Sequence, residues 1–132
     1  MTISACASRR DLRVLIAEDD FLIGDFMRQL LIDLDYAVIG PFNTLEETLR
    51  AILDADFDGA LLDVQLGADD ILPAARELAR RGIPFVLTTG RGSLADLPAV
   101  LSKAPILAKP FDVRQLAAKV AAMFQSPIKV DP

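Results

Sequence analysis

The sequence contains no histidine and only one cysteine among its 132 residues. Without histidine, the protein lacks the usual general base near neutral pH and the commonest transition-metal ligand. The single cysteine, Cys6, cannot form an intrachain disulfide, which is typical of proteins in a reducing compartment. These absences argue against a histidine-dependent enzyme and against a disulfide-stabilised secreted protein.

The sequence also lacks a long hydrophobic segment and an excess of basic residues. No apolar run approaches the roughly 20 residues that a membrane-spanning helix needs, and Met1–Arg10 is a poor secretory signal. Lysine and arginine together number 14 against 19 acidic residues, a net charge of −5, and no basic stripe interrupts this balance. We therefore expect a cytoplasmic protein with no membrane attachment and no direct DNA binding.

The length suits one domain, and a hydrophobic content of 52% requires a substantial buried core. Residues 1–10 are expected to be a disordered or frayed leader, residues 11–125 to form the domain, and residues 126–132 to be a tail. This length is too short for a second conventional output domain, so we expect any output to come from the surface of the one domain.

Short apolar runs alternate with segments of helical periodicity, which predicts an α/β fold with a parallel sheet. The five expected strands are Leu12–Ala17, Tyr36–Gly40, Ala60–Leu62, Phe85–Thr89 and Ile106–Ala108. The second strand is expected to end at Gly40-Pro41. Gly90, Gly92 and Pro98 disfavour a long helix between the last two strands, so any helix within Arg91–Lys103 should be short or irregular.

The other helices are predicted from their caps and their apolar faces. Thr44 and Glu47 form a capping box, Asp112 and Gln115 suggest a second cap, and Gly82 should end the third helix, with Pro73 in its first turn. The residues expected to face the core are Ile23, Phe26, Met27, Leu30, Ile32 and Leu34 in the first helix, Leu45, Leu49, Ile52 and Leu53 in the second, and Val113, Leu116, Val120 and Phe124 in the last.

Charged and hydroxyl side chains follow four of the expected strands. They are Glu18-Asp19-Asp20, then Asp63, then Thr88-Thr89, then Lys109. Ligands of open α/β sheets bind at the carboxyl ends of the strands, so these side chains should meet at one edge. Converging carboxylates would repel one another, and a hard divalent cation such as Mg²⁺ would relieve that repulsion. Asp63 could then act as a nucleophile toward a phosphoryl group.

Four segments together resemble the receiver domain of two-component response regulators. They are Val14-Leu15-Ile16-Ala17-Glu18-Asp19-Asp20, Leu61-Leu62-Asp63-Val64, Thr89-Gly90 and Lys109-Pro110-Phe111, and the resemblance covers about Leu12–Phe124. It implies a flavodoxin-like, doubly wound five-stranded sheet with strand order 2-1-3-4-5. The Thr-Gly pair is similar to that of a subgroup of short, stand-alone bacterial receivers.

The resemblance also implies a role for each site residue. Asp63 would be the phosphoacceptor, Asp19 a direct Mg²⁺ ligand, and Glu18 a ligand acting through water. The backbone carbonyl of Gln65 would complete the metal site. Thr89 would turn its hydroxyl toward the phosphoryl group, and Lys109 would pair with a phosphoryl oxygen.

The resemblance further implies that the Lys109-Pro110 bond is cis. The chain departs from the family pattern at Ile106, where many receivers have an aromatic residue, and after Asp63, where the usual proline and Met-Asp-Gly stretch is absent.

Some alternatives stay open at this point. Asp20 could cap the first helix or assist the metal, and of the adjacent threonines Thr89 is the one we expect to face the site. The expected function is a signalling receiver, not an enzyme acting on other substrates. A histidine kinase or phosphotransfer protein would phosphorylate it, and it would regulate a protein partner or serve as a phosphate sink. The alternatives are a Mg²⁺-dependent aspartyl-phosphate phosphatase, which would need an acid where Gln65 stands, and a degenerate receiver acting without phosphorylation.

Overall fold

A computed structural model of the protein describes residues 12–90, 101 and 103–125. Its elements in chain order are β1 (Arg13–Ala17), α1 (Phe21–Asp33), β2 (Ala37–Phe42), α2 (Leu45–Asp54), β3 (Gly59–Asp63), β4 (Gln65–Leu66), β5 (Asp69–Asp70), α3 (Leu72–Arg81), β6 (Phe85–Thr89), β7 (Ile106–Ala108) and α4 (Val113–Gln125). Apart from Leu101 and Lys103, the segment Arg91–Lys103 lies outside the described residues, as do the expected leader and tail.

Five of the strands form one parallel sheet in the order β2-β1-β3-β6-β7, and β4 pairs with β5 in a separate antiparallel hairpin. Because the hairpin strands do not join the main sheet, this order is the predicted 2-1-3-4-5. Each face of the sheet has its own apolar core. Residues of α2 and α3 cover one face, and residues of α1 and α4 cover the other. None of the helices in the described ranges is long and apolar enough to cross a bilayer.

The predicted caps are confirmed. Thr44 Oγ1 accepts the N–H of Glu47 at 3.1 Å, and Asp112 and Gln115 exchange hydrogen bonds of 2.8 and 2.9 Å between side chain and backbone. Gly82 ends α3 with a left-handed φ of 73°, and Pro73 lies in the first turn of that helix. Local patterns of polar residues, glycine and proline therefore predicted where three of the helices begin or end.

The predicted inward face of α1 is partly wrong. Met27 is fully buried as expected, but Phe26 and Ile32 are exposed at 38% and 42%, and Leu31 is buried instead. Gly24 also faces inward, because an added Cβ there would lie 3.1 Å from Pro41 Cγ. The apolar residues of α1 cover more of its circumference than one packed face can bury, so packing against β2 decided which of them face the core.

Three other predictions are corrected at the ends of elements. Leu53 and Val113 are exposed at 64% and 49%, although both were expected to face the core. Both residues lie in the terminal turns of their helices. Strand β2 does not stop at Gly40-Pro41 but continues to Phe42 through a cis Gly40–Pro41 bond and a change of register. An edge strand tolerates proline because one of its sides needs no N–H donor.

Candidate functional site

Three side chains from the ends of β1, β3 and β7 meet at the carboxyl edge of the sheet. Lys109 Nζ lies 2.8 Å from Glu18 Oε1 and 3.0 Å from Asp63 Oδ2, so one ammonium group bridges two carboxylates. Glu18 follows β1 directly, and its N–H donates to the carbonyl of Phe42 at 2.9 Å. Asp63 is the last residue of β3. The Lys109–Pro110 bond is cis, as the resemblance implied.

The two carboxylates are largely withdrawn from water, since Glu18 is 2% and Asp63 5% exposed. Burial, with a smaller contribution from the charge of Asp63, raises the pKa of Glu18 from 4.5 to about 7, against the opposing effects of Lys109 and of the N–H of Asp20. Burial disfavours the charge on Lys109, but its hydrogen bonds to Glu18 and Asp63 outweigh this and raise its pKa. The lysine therefore stays protonated, whereas Glu18 titrates near neutral pH.

Asp19 and Asp20 have different environments, although they are adjacent. Asp20 Oδ1 accepts the N–H groups of Leu22 and Ile23 at 2.9 and 3.1 Å, so Asp20 caps α1. Asp19 is exposed, and its Oδ2 accepts the N–H of Gly67 at 2.8 Å. Of the two readings of Asp20, helix capping is the one that its contacts support.

Glu18, Asp19 and Asp63 form a group that could hold a cation. One carboxylate oxygen from each lies within 4.8 Å of the others. Oxygen donors are what Mg²⁺ prefers, and it usually binds through a few carboxylates while keeping several waters. Two of the three carboxylates are buried beside a single lysine, so a divalent cation would offset repulsion that Lys109 alone only partly compensates. The residues present therefore fit Mg²⁺.

The two threonines at the end of β6 are both buried, but they differ in their surroundings. Thr89 pairs with Ala108, and its carbonyl accepts the N–H of Lys109 at 2.8 Å, which ties the end of β6 to the lysine. Thr88 is the register partner of Asp63 and is completely buried. The Thr88 hydroxyl has no hydrogen-bond partner in the described part of the chain.

Gln65 belongs to the hairpin that follows Asp63. Its N–H donates to Asp63 Oδ1 at 3.2 Å. Its side-chain nitrogen lies 3.2 Å from the carbonyl oxygen of Gly67 and 3.3 Å from that of Asp69, so the carboxamide folds back onto the hairpin. A two-stranded hairpin was not expected here. Strands β4 and β5 are too short to produce a recognisable strand pattern in the sequence.

Two large apolar side chains beside the site were not anticipated as surface residues. Phe21 and Leu22 open α1 directly after Asp20 and are exposed at 81% and 76%. Phe26, one turn further, contacts Phe111 with ring centroids 6.1 Å apart. Their position in the sequence could have predicted this exposure, because Phe21 and Leu22 do not follow the spacing of the α1 residues that were expected to face the core. We call Phe21, Leu22, Phe26 and Phe111 the apolar rim.

Comparisons with known proteins show the family to which the chain belongs. The family model described as the response regulator receiver domain matches residues 14–121. Response regulator protein PmrA of Pseudomonas aeruginosa is 34% identical over 116 residues, which cover 85% of this chain and 52% of that protein. The chain spans about half the length of the curated relatives that it matches.

Solved structures share the fold over most of the chain. The solution structure of SdrG from Sphingomonas melonis Fr1 has a TM-score of 0.76 and 35% identity, covering 87% of this chain and 98% of that one. The solution structure of the BeF3-activated conformation of SdrG from Pseudomonas melonis Fr1 has a TM-score of 0.72 and 32% identity, covering 88% and 97%.

Proposed function

Because the chain belongs to the response regulator receiver family, the phosphorylation-dependent signalling receivers of two-component systems, we propose that Asp63 is its phosphoacceptor. The observation that carries this proposal is the meeting of Asp63 with Lys109 and with Glu18 and Asp19, whose carboxylates could hold a cation together with that of Asp63. A carboxylate with a cation on one side and a metal site on the other can accept a phosphoryl group without help from a histidine base.

The chemistry follows from the two oxygens of Asp63. One carboxylate oxygen attacks phosphorus and forms an acyl phosphate, while the bond from phosphorus to the donor breaks and the donor keeps the electron pair. Lys109, 3.0 Å from Oδ2 before the reaction, stays within reach of the new phosphoryl oxygens and neutralises their charge. Thr89, at the end of β6, supplies the hydroxyl that pairs with the phosphoryl group once it is attached.

In this proposal Asp19 and Asp63 bind Mg²⁺ directly, Glu18 acts through water, and the carbonyl of Gln65 completes the set. When bound, the ion supplies positive charge to the phosphoryl oxygens during transfer. The N–H of Gln65 already contacts Asp63 Oδ1, so the backbone beside Gln65 lies close to the acceptor.

A histidine kinase or a phosphotransfer protein is the proposed donor, in the cytoplasm. The apolar rim supports a protein donor, because Phe21 and Leu22 expose a large apolar surface directly beside the acidic site. A small metabolite such as acetyl phosphate is too small to bury that surface. The output, whether control of a protein partner or removal of phosphate from a kinase, is exerted by the receiver surface in this proposal.

The two alternatives have less support. A phosphatase of the aspartyl-phosphate type would need a proton donor two residues after the nucleophile, and Gln65 cannot act as a general acid there. Its carboxamide is moreover bonded to hairpin carbonyls. A receiver that works without phosphorylation has no need of the buried Glu18–Lys109–Asp63 arrangement, whose charges are costly to bury. We therefore propose that the only phosphoryl transfer the protein catalyses is on itself.

Intact-mass spectrometry after incubation with acetyl phosphate and Mg²⁺ tests the acceptor. The wild type should gain one phosphoryl group, and Asp63→Ala should gain none. Asp69→Asn is the matched control, because it removes an exposed carboxylate from the hairpin that follows the acceptor and should leave the adduct unchanged. An adduct of wild-type yield in Asp63→Ala would refute the assignment. No adduct in any variant, including the wild type, would favour the receiver that acts without phosphorylation.

A further inference from the structure

The Gln65–Asp70 hairpin contacts the proposed metal site through two backbone N–H groups, and one of these contacts joins residues far apart in the sequence. The N–H of Gly67 donates to Asp19 Oδ2 at 2.8 Å, across 48 residues of sequence. A backbone N–H bonded to a carboxylate is a charge-assisted contact, stronger and more directional than one between neutral groups. Asp19 is exposed, so without this bond its side chain would be free to sample other rotamers.

Three features of the hairpin hold the N–H of Gly67 in place. Its turn is Gly67-Ala68, and Gly67 has a φ of 57°, which glycine adopts without the steric cost that other residues meet. Leu66, 1% exposed, anchors the hairpin in the core. The carboxamide of Gln65 braces the turn by donating to the carbonyls of Gly67 and Asp69.

We propose that this hairpin positions the Asp19 carboxylate for cation binding, with Gly67 as the donor to Asp19 and Gln65 as the brace of the turn. The bond occupies one lone pair of Oδ2 and restricts the side chain, and a carboxylate oxygen of Asp19 lies within 4.8 Å of oxygens of Glu18 and Asp63. Gly67, through its N–H, and Gln65, through its side chain, are positioning residues, because they act on the metal only through Asp19. The inference rests on the proposed function, because it assumes that Asp19 binds the metal.

The test compares glycine variants at two left-handed positions. Gly67→Val strains the turn, because a β-branched residue is a steric outlier at positive φ, whereas Gly67→Asn should be tolerated. Gly82→Val is the matched control. Gly82 also has a positive φ, of 73°, and open space around it, but it ends α3. Mg²⁺ dissociation constants are measured by calorimetry on metal-free protein.

We expect Gly67→Val to raise the Mg²⁺ dissociation constant about tenfold, the lower end of what losing a metal ligand's hydrogen-bond partner costs. Gly67→Asn and Gly82→Val should stay within about twofold of wild type, since neither disturbs the bond to Asp19. In metal-free wild type, the amide of Gly67 should be protected from exchange, and Asp19→Ala should remove that protection.

A second pair of variants covers the case in which Gly67→Val does not fold. Gln65→Met keeps the length of the side chain but removes its donors, and Gln29→Met is its control, since Gln29 donates only to Asp33 on the surface of α1. We expect Gln65→Met to weaken Mg²⁺ binding about threefold, because the turn loses two modest hydrogen bonds, and Gln29→Met to leave binding unchanged.

Asp19→Asn distinguishes failure of the proposed metal site from failure of the proposed role of the hairpin. If Asp19→Asn leaves Mg²⁺ affinity intact, Asp19 is not a ligand and the proposed metal site is wrong. If Asp19→Asn weakens binding but a folded Gly67→Val and Gln65→Met do not, the metal site stands and the positioning role of the hairpin is wrong. Tighter binding in Gly67→Val would also overturn it, since the N–H would then compete with the ion.

Discussion

Asp63 and Thr88 are register partners on the neighbouring strands β3 and β6, so their side chains lie on the same face of the sheet. The Thr88 hydroxyl nevertheless makes no hydrogen bond within the described residues, although Thr88 is fully buried. A buried hydroxyl without a partner costs about 1–3 kcal/mol. Thr88 therefore occupies a position where a hydroxyl reduces stability, whereas Thr89 is the threonine proposed to serve the phosphoryl group.

Thr88→Val should raise the free energy of unfolding by about 1 kcal/mol, because valine has nearly the same shape and no hydroxyl to desolvate. Its phosphorylation by acetyl phosphate should be unaffected. The control is Thr89→Val, which should impair the response to phosphorylation. Denaturant unfolding measures stability, intact-mass spectrometry measures the phosphorylation rate, and the change in amide chemical shifts on phosphorylation measures the response. A Thr88→Val protein that is less stable than wild type would mean that the hydroxyl has a partner, such as an ordered water.

Mg²⁺ affinity should depend on Asp19 more than on Glu18, because a direct ligand contributes more than one acting through water. We expect Asp19→Asn to weaken binding more than Glu18→Gln in a calorimetric titration. Asp54→Asn, which changes the net charge equally at the end of α2, is the control and should bind normally. Lys109→Ala should bind Mg²⁺ as well as wild type or slightly better, since it removes a positive charge beside the site. Equal affinity in Asp19→Asn and Asp54→Asn would mean that this cluster does not bind the metal.

The stability of the metal-free protein should fall as the pH rises through about 7. Burial raises the pKa of Glu18 from 4.5 to about 7 in the folded protein, so between these values the folded state holds a proton that the unfolded state has lost. Its contribution to stability is complete below pH 4.5 and is lost as the pH passes the folded pKa. The loss from pH 6 to pH 8 should be on the order of 1 kcal/mol. Urea unfolding in the presence of a chelator measures it.

Glu18→Gln is the control for this pH dependence, because it cannot titrate. The protein has no histidine, so few other groups change charge between pH 6 and 8. Magnesium should show the opposite trend, binding more tightly at pH 8 than at pH 6 in wild type, since the ion favours ionised Glu18. An equal slope in Glu18→Gln would show that another group is responsible.

The apolar rim should matter for a protein donor and not for a small one. Leu22→Ser should lower kcat/KM for phosphotransfer from a cognate histidine kinase or phosphotransfer protein by about tenfold, because burial of one leucine at an interface contributes on the order of 1–2 kcal/mol. Phosphorylation by acetyl phosphate should be unchanged. Leu53→Ser is the matched control, since Leu53 is also exposed, at 64%, but lies near the end of α2. If Leu53→Ser and Leu22→Ser behave alike with the protein donor, the rim is not its docking surface.

The sequence by itself predicted the five strands of the main sheet, apart from the end of β2, together with the helix caps and the candidate residues of the site. Strands β6 and β7 have the predicted bounds, and Thr44, Gly82 and Asp112 lie at the helix ends where they were expected. These features depend on contacts within a few residues, such as a side chain meeting the N–H three positions later, and local sequence encodes them. The sequence also shows that polar residues follow the strands.

Only the tertiary structure decided which side chains share an environment. Periodicity predicts that α1 has an apolar face, but the rotation of the helix is visible only in the structure, where Gly24 lies against Pro41 and Leu31 is buried while Phe26 is exposed. The pKa of Glu18 depends first on burial, which no local pattern contains, and then on Lys109, which lies far along the chain. The bond from Gly67 to Asp19 joins a hairpin to a loop across 48 residues. Such contacts form only when the strands have assembled into the sheet, because chain folding and not sequence spacing brings their ends together.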